Sequence, residues 1–127
     1  MPRQRNILLI EDDARVRQAL GQALAVENYR VVPAANENEA LREFDSSEID
    51  IILLDLNPRN GSAWNTVQRL TALRPQLRVV GMSARLEQND SNLHHPAFDA
   101  LMEKPLDLLL LVRTLNELTS QHRFYEP

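Results

Sequence analysis

The chain contains no cysteine, only three glycines and no long apolar run, and each shortage closes off a class of protein. Without cysteine there is no disulfide framework, thiol nucleophile or thiolate metal site. Three glycines supply no Gly-rich turn of the kind that cradles a nucleotide phosphate. No stretch reaches the roughly 18 apolar residues that a membrane crossing needs. The first residues, Met1-Pro2-Arg3-Gln4-Arg5-Asn6, lack the apolar core of a signal peptide, so a cytoplasmic location without membrane contact is expected. Basic side chains are also in deficit, 14 against 18 acidic ones, for a net charge of −4. That balance argues against direct nucleic-acid binding, because phosphate backbones are held by basic surfaces.

What remains is an ordinary globular composition, 43% hydrophobic and 25% charged, in 127 residues. This length fits one domain, with residues 119–127 a polar tail or the start of a linker. There is no repeat or low-complexity block. Short apolar runs rich in β-branched residues predict strands over 6–10, 30–33, 50–54, 78–82 and 100–102. Helical patterns lie between them. Asp13 is placed to cap a helix that buries Val16, Leu20, Ala23 and Leu24, and residues 37–44 bury Ala40, Leu41 and Phe44. Residues 63–73 turn Trp64, Val67, Leu70 and Thr71 inward. A last helix starting near Asp107 carries Leu108, Leu111, Val112, Leu115 and Leu118 on its inner stripe, leaving Leu109 and Leu110 outside. Residues 86–98 are rich in Asn, Asp and Ser and contain Pro96, so any helix there is short or irregular. Apolar strands alternating with helices predict an α/β fold: three layers, doubly wound around a five-stranded parallel sheet.

The polar groups that end these strands carry the chemistry. Asp55 follows Ile51-Ile52-Leu53-Leu54; Glu11-Asp12-Asp13 follow Ile7-Leu8-Leu9-Ile10; Ser83 follows Val79-Val80-Gly81-Met82; Lys104-Pro105 follow the last strand. In a parallel sheet all of them emerge at the carboxyl edge, where open α/β sheets bind ligands. Carboxylates, a hydroxyl and an ammonium together suit a divalent cation and a phosphoryl group. Adjacent acids after a strand also serve as helix caps, which is the role given to Asp13. The pair His94-His95 reads as solvated loop, since neighbouring side chains diverge and no third ligand is evident.

Ile10-Glu11-Asp12-Asp13, Leu54-Asp55-Leu56-Asn57, Gly61-Ser62, Ser83-Ala84 and Lys104-Pro105, in that order, resemble the receiver domain of two-component response regulators over about residues 6–119. The resemblance implies a flavodoxin-like strand order of 2-1-3-4-5 and Asp55 as phosphoacceptor. It further implies Mg2+ held by Glu11 (through water), Asp12, Asp55 and the backbone carbonyl of Asn57. Ser83 would donate to a phosphoryl oxygen, and Lys104 would pair with the phosphoryl group or the bare carboxylate. The physics asks for the same groups. A carboxylate attacks an anionic phosphorus centre only when that charge is neutralised, and magnesium prefers a few carboxylates plus waters. The product is an aspartyl phosphate, so only self-phosphorylation and autodephosphorylation are expected, not enzymatic turnover.

By the same resemblance the phosphoryl donor is a sensor histidine kinase or a histidine phosphotransfer protein. Signals would leave through the 86–118 face to an output domain, a partner protein or a second copy in a homodimer. Four positions depart from the family pattern. Pro58 stands three rather than four residues after Asp55, with Arg59 in the fourth place; Ala63 replaces a common glycine. Leu101 occupies a place often held by Tyr or Phe, and the 83–104 segment lacks a customary glycine and is about one residue short. These departures keep open a pseudo-receiver that binds partners without phosphorylation. A true enzyme, an aspartate-nucleophile phosphatase or a flavin protein, lacks its cap or phosphate loop here.

Overall fold

The computed structural model describes residues 4–56, 63–84 and 98–124, with the side chains of 63–64 and 120–124 outside that description. Five strands, β1 (Asn6–Ile10), β2 (Arg30–Ala34), β3 (Ile51–Asp55), β4 (Arg78–Ser83) and β5 (Ala100–Glu103), form one sheet in the order β2-β1-β3-β4-β5. All neighbouring pairs are parallel. Among the described residues the helices are α1 (Ala14–Val26), α2 (Glu37–Ser46), α3 (Ala63–Leu73) and α4 (Leu108–Phe124). The expected class, topology and strand order are therefore present, with strand ends shifted by at most a residue.

Local chemistry explains the elements. Strands β1 and β3 are buried throughout because both faces of the sheet are covered. Alternation splits them: Leu8, Ile10, Ile52 and Leu54 join Ala40, Phe44, Val67 and Leu70 on one face. Ile7, Leu9, Ile51 and Leu53 join Leu24, Leu111 and Leu115 on the other. Asp13 caps α1 as expected, its Oδ1 accepting from the N–H groups of Arg15 at 2.9 Å and Val16 at 3.3 Å. The helix ends where Asn28 takes a left-handed φ of 70°, a conformation asparagine tolerates, and the Tyr29 N–H closes back on the Leu24 carbonyl at 3.2 Å. Helix α2 starts on a reciprocal cap: Asn36 accepts from the Glu39 N–H at 2.9 Å, and Glu39 accepts from the Ala35 N–H at 3.1 Å.

Some expectations about faces need correction. Val16 and Leu108 were assigned inward but are 38% and 40% exposed. Each lies in the first turn of its helix, and both line one open apolar cavity with Leu20, Pro105 and Leu106 instead of joining the core. Thr66, not singled out by periodicity, is buried. The segment expected as a tail is helical to Phe124, because Leu118 still packs on the core one turn beyond Leu115. The 86–98 segment, expected to hold a short or irregular helix, lies outside the described residues except for Phe98, as do His94, His95 and the Trp64 side chain.

Candidate functional site

The sheet order reverses between β1 and β3, whose ends lie next to each other at the carboxyl edge. Strand pairing runs Ile10 to Leu54, so Glu11 and Asp55 each stand one residue past a paired position. Glu11 is fixed from behind by its own N–H, which donates to the Ala34 carbonyl at 3.0 Å. On the other side of β3, Asp55 pairs with Met82, and Ser83 follows one step further. The Lys104 N–H then donates to the Ser83 carbonyl at 2.7 Å, tying the end of β5 to the end of β4.

These ties gather the expected groups. Carboxylate oxygens of Glu11, Asp12 and Asp55 lie within 4.8 Å of one another. Glu11 and Asp55 are buried, whereas Asp12 is exposed. The Lys104 ammonium lies 3.0 Å from Asp55 Oδ1 and 3.2 Å from Glu11 Oε1. Ser83 is buried at the same edge. Asn57, whose carbonyl was expected to complete a coordination shell, lies outside the described residues, as do Pro58, Arg59, Gly61, Ser62 and Arg85.

Electrostatics mark the cluster as strained in charge. Glu11 is pushed up from 4.5 to about 7, first by burial and then by the hydrogen bond and charge of Asp55. The Asp13 N–H, 3.3 Å from Glu11 Oε2, and the Lys104 ammonium act in the opposite sense without prevailing. For Lys104, burial works against the charged form, but the hydrogen bond and charge of Asp55, then Glu11, outweigh it and raise its pKa. Among the described residues, three clustered acids and one ammonium leave room for more positive charge. The donor atoms are all carboxylate oxygens, and exposed Asp12 leaves one side open to water, a set that fits magnesium rather than zinc or copper.

Sequence reading placed these side chains but not what steadies them. Arg17, on the first turns of α1, donates from Nη1 to the main-chain carbonyls of Glu11 at 2.7 Å and Asp12 at 3.4 Å. Its signal was an arginine four residues after the cap Asp13, reaching back over the loop. Leu101 stands in a tightly packed apolar setting. A Cβ on Gly81 would lie 2.8 Å from Leu56, 2.9 Å from Leu101 and 3.2 Å from Phe98, so three apolar side chains already fill the space above that glycine.

Fold and site together define a receiver of two-component signalling, and comparison with known proteins gives the same answer. The family described as "Response regulator receiver domain" matches residues 7–116, and the chain belongs to it. Sensor histidine kinase RcsC of Salmonella typhimurium is 30% identical over 110 residues, covering 86% of this chain but 12% of that protein. Response regulator RR06 of Streptococcus pneumoniae is 26% identical over 125 residues, 95% of this chain and 56% of that one. The chain thus spans about an eighth of the first relative and just over half of the second. A CheY-like receiver domain from Methanospirillum hungatei superposes with a TM-score of 0.84 at 23% identity, covering 95% and 98% of the two chains. Response regulator TrrA of Thermotoga maritima, solved with Mg(2+)-BeF, gives 0.79 at 22% identity, covering 91% and 99%. No helix of the described residues is long and apolar enough to cross a membrane.

Proposed function

We propose that this receiver accepts a phosphoryl group on Asp55 from a phosphohistidine of a sensor histidine kinase or phosphotransfer protein, in a magnesium-dependent reaction. The supporting observation is the meeting of Asp55, Lys104, Glu11 and Asp12 in one pocket of charge. One Asp55 carboxylate oxygen attacks phosphorus, and the bond from phosphorus to the donor imidazole nitrogen breaks. The electron pair stays with the departing imidazole. Lys104, already 3.0 Å from Asp55 Oδ1, holds the carboxylate and offers its charge to the incoming oxygens, while Ser83 donates a hydrogen bond from the end of β4. A magnesium ion held by Glu11, Asp12, Asp55 and the Asn57 carbonyl would neutralise phosphoryl charge. The relative solved with Mg(2+)-BeF supports that choice of ion.

Output is proposed to pass through the 86–118 face to a partner, an attached domain or a second copy. Leu109 and Leu110, 68% and 49% exposed on α4, support an apolar contact there. The test of the chemistry is direct. With millimolar magnesium and a small phosphodonor such as phosphoramidate, intact-mass spectrometry should show one added phosphoryl group on wild type and none on Asp55→Asn. Equal labelling of the two proteins removes Asp55 as acceptor. Magnesium binding without any uptake would instead favour the pseudo-receiver reading.

A further inference from the structure

We propose that Arg17 is a positioning residue for the cation site, holding the Glu11–Asp12 backbone so that both carboxylates face Asp55. This rests on the reading of the site given above. The loop between β1 and α1 is only three residues long, Glu11 to Asp13, and two of the three are expected ligands. Its side chains cannot point at Asp55 unless the peptide planes of the loop are fixed. Three ties fix them. The Glu11 N–H is held by the Ala34 carbonyl at 3.0 Å. Asp13 is held by its cap bonds to α1 and by its own N–H, 3.3 Å from Glu11 Oε2. The carbonyls of Glu11 and Asp12 are held by Arg17 Nη1, at 2.7 and 3.4 Å. Of these only the last depends on a side chain that is neither a ligand nor the helix cap.

A guanidinium suits the task because it stays charged and is less strongly hydrated than an ammonium. It touches carbonyl oxygens, not the carboxylates, so it does not compete for the ligand atoms. Its charge nonetheless works against a nearby cation. The two effects carry opposite signs, and that makes the proposal decidable. If Arg17 acts only through its charge, a neutral residue of similar length binds magnesium more tightly. If it acts by positioning, the neutral residue binds more weakly, since loss of a partner that orients metal ligands typically costs about 10- to 100-fold in affinity.

The experiment measures magnesium affinity by calorimetry on wild type, Arg17→Met and Arg17→Lys, beside phosphoryl uptake at low and saturating magnesium. Arg17→Met should bind magnesium about tenfold more weakly, and its uptake should recover most of the lost rate once magnesium saturates. Arg17→Lys, able to reach a single carbonyl, should fall between the two. Affinity in Arg17→Met equal to or tighter than wild type overturns the proposal, as does a lysine variant no better than methionine. Should Arg17→Met fail to fold, a several-fold loss of affinity in Arg17→Lys is still required. Absence of magnesium binding in wild type would be a failure of the site reading itself, distinct from any failure of Arg17.

Discussion

The two edges of this sheet handle charge in opposite ways. At the amino edge, acids and bases are matched. Asp50 sits 3.9 Å from Arg5 and accepts the Asn6 N–H at 2.8 Å; Asp99 sits 3.4 Å from Arg78 and accepts the Val79 N–H at 2.7 Å. Arg74 spends its guanidinium on the Ile49 carbonyl at 2.6 Å and the face of Phe44 at 4.9 Å. At the carboxyl edge, among the described residues, the carboxylates of Glu11, Asp12 and Asp55 crowd together, and the Lys104 ammonium contacts Glu11 and Asp55. One edge uses its charges to fasten strand ends. The other, among the described residues, gathers more negative than positive charge, and the pKa of Glu11 is pushed up to about 7. Charge that a fold tolerates without resolving is charge available to a ligand.

The largest effect should come from unbalancing the carboxyl edge further. Lys104→Met removes the one cation that, among the described residues, contacts both Glu11 and Asp55. Phosphoryl uptake should drop by about 100-fold or more, the scale for losing a charge-stabilising donor. Unfolding free energy near pH 8 without magnesium should also fall, by about 1–3 kcal/mol, below the range for a fully buried pair because Lys104 is partly exposed. Uptake and stability both at wild-type level would erase the contrast between the edges.

A smaller effect separates the edges by pH. Glu11 has a folded pKa of about 7 against 4.5 for the unfolded chain, so between those values the folded state binds more protons. Stability from this group is therefore fully present below about pH 4.5 and is lost as pH rises through 7, by up to about 3 kcal/mol. Denaturant unfolding in chelator from pH 5 to 8 should show that decline in wild type and a flatter profile in Glu11→Gln. Magnesium needs the ionised carboxylate, so its apparent affinity should climb over the same window. A profile in Glu11→Gln as steep as wild type would place the titration elsewhere.

Much of this was legible in sequence because it depends on short-range pattern. The β1 and β3 runs are apolar throughout, so strand type, burial and the exit of Glu11, Asp12 and Asp55 at one edge follow from a few residues each. Asp13 as a cap is equally local. Periodicity misplaced Val16 and Leu108, since it registers which face a residue shares but not where the neighbouring layer ends. Arg17 is harder to find because its partners are main-chain carbonyls, and its spacing of four residues from the cap Asp13 is the one sign it carries. Leu101 read as a lost aromatic; the structure shows Phe98 and Leu101 sharing the space above Gly81, a trade of volume between β4 and the start of β5. That trade links residues 17 or more positions apart and has no local signature.

The smallest effects belong to the amino edge, and their smallness is the point. Arg78 and Asp99 form an ion pair whose side chains are 36% and 23% exposed, the kind usually worth well under 1 kcal/mol. Arg78→Met should cost about 0.5 kcal/mol, an amount that high salt should also remove from wild type. Asp99→Ala should cost more, about 1–2 kcal/mol, because it also strips the acceptor from the Val79 N–H at the start of a central strand. Neither change should alter phosphoryl uptake or magnesium affinity, since both act at the opposite end of the strands from Asp55. Stability moves and chemistry stays, whereas Asp55→Asn is expected to abolish the chemistry. A marked change in uptake from Asp99→Ala would show that the two edges are coupled through β4 and β5, and that the division of labour between them is not the one their charges suggest.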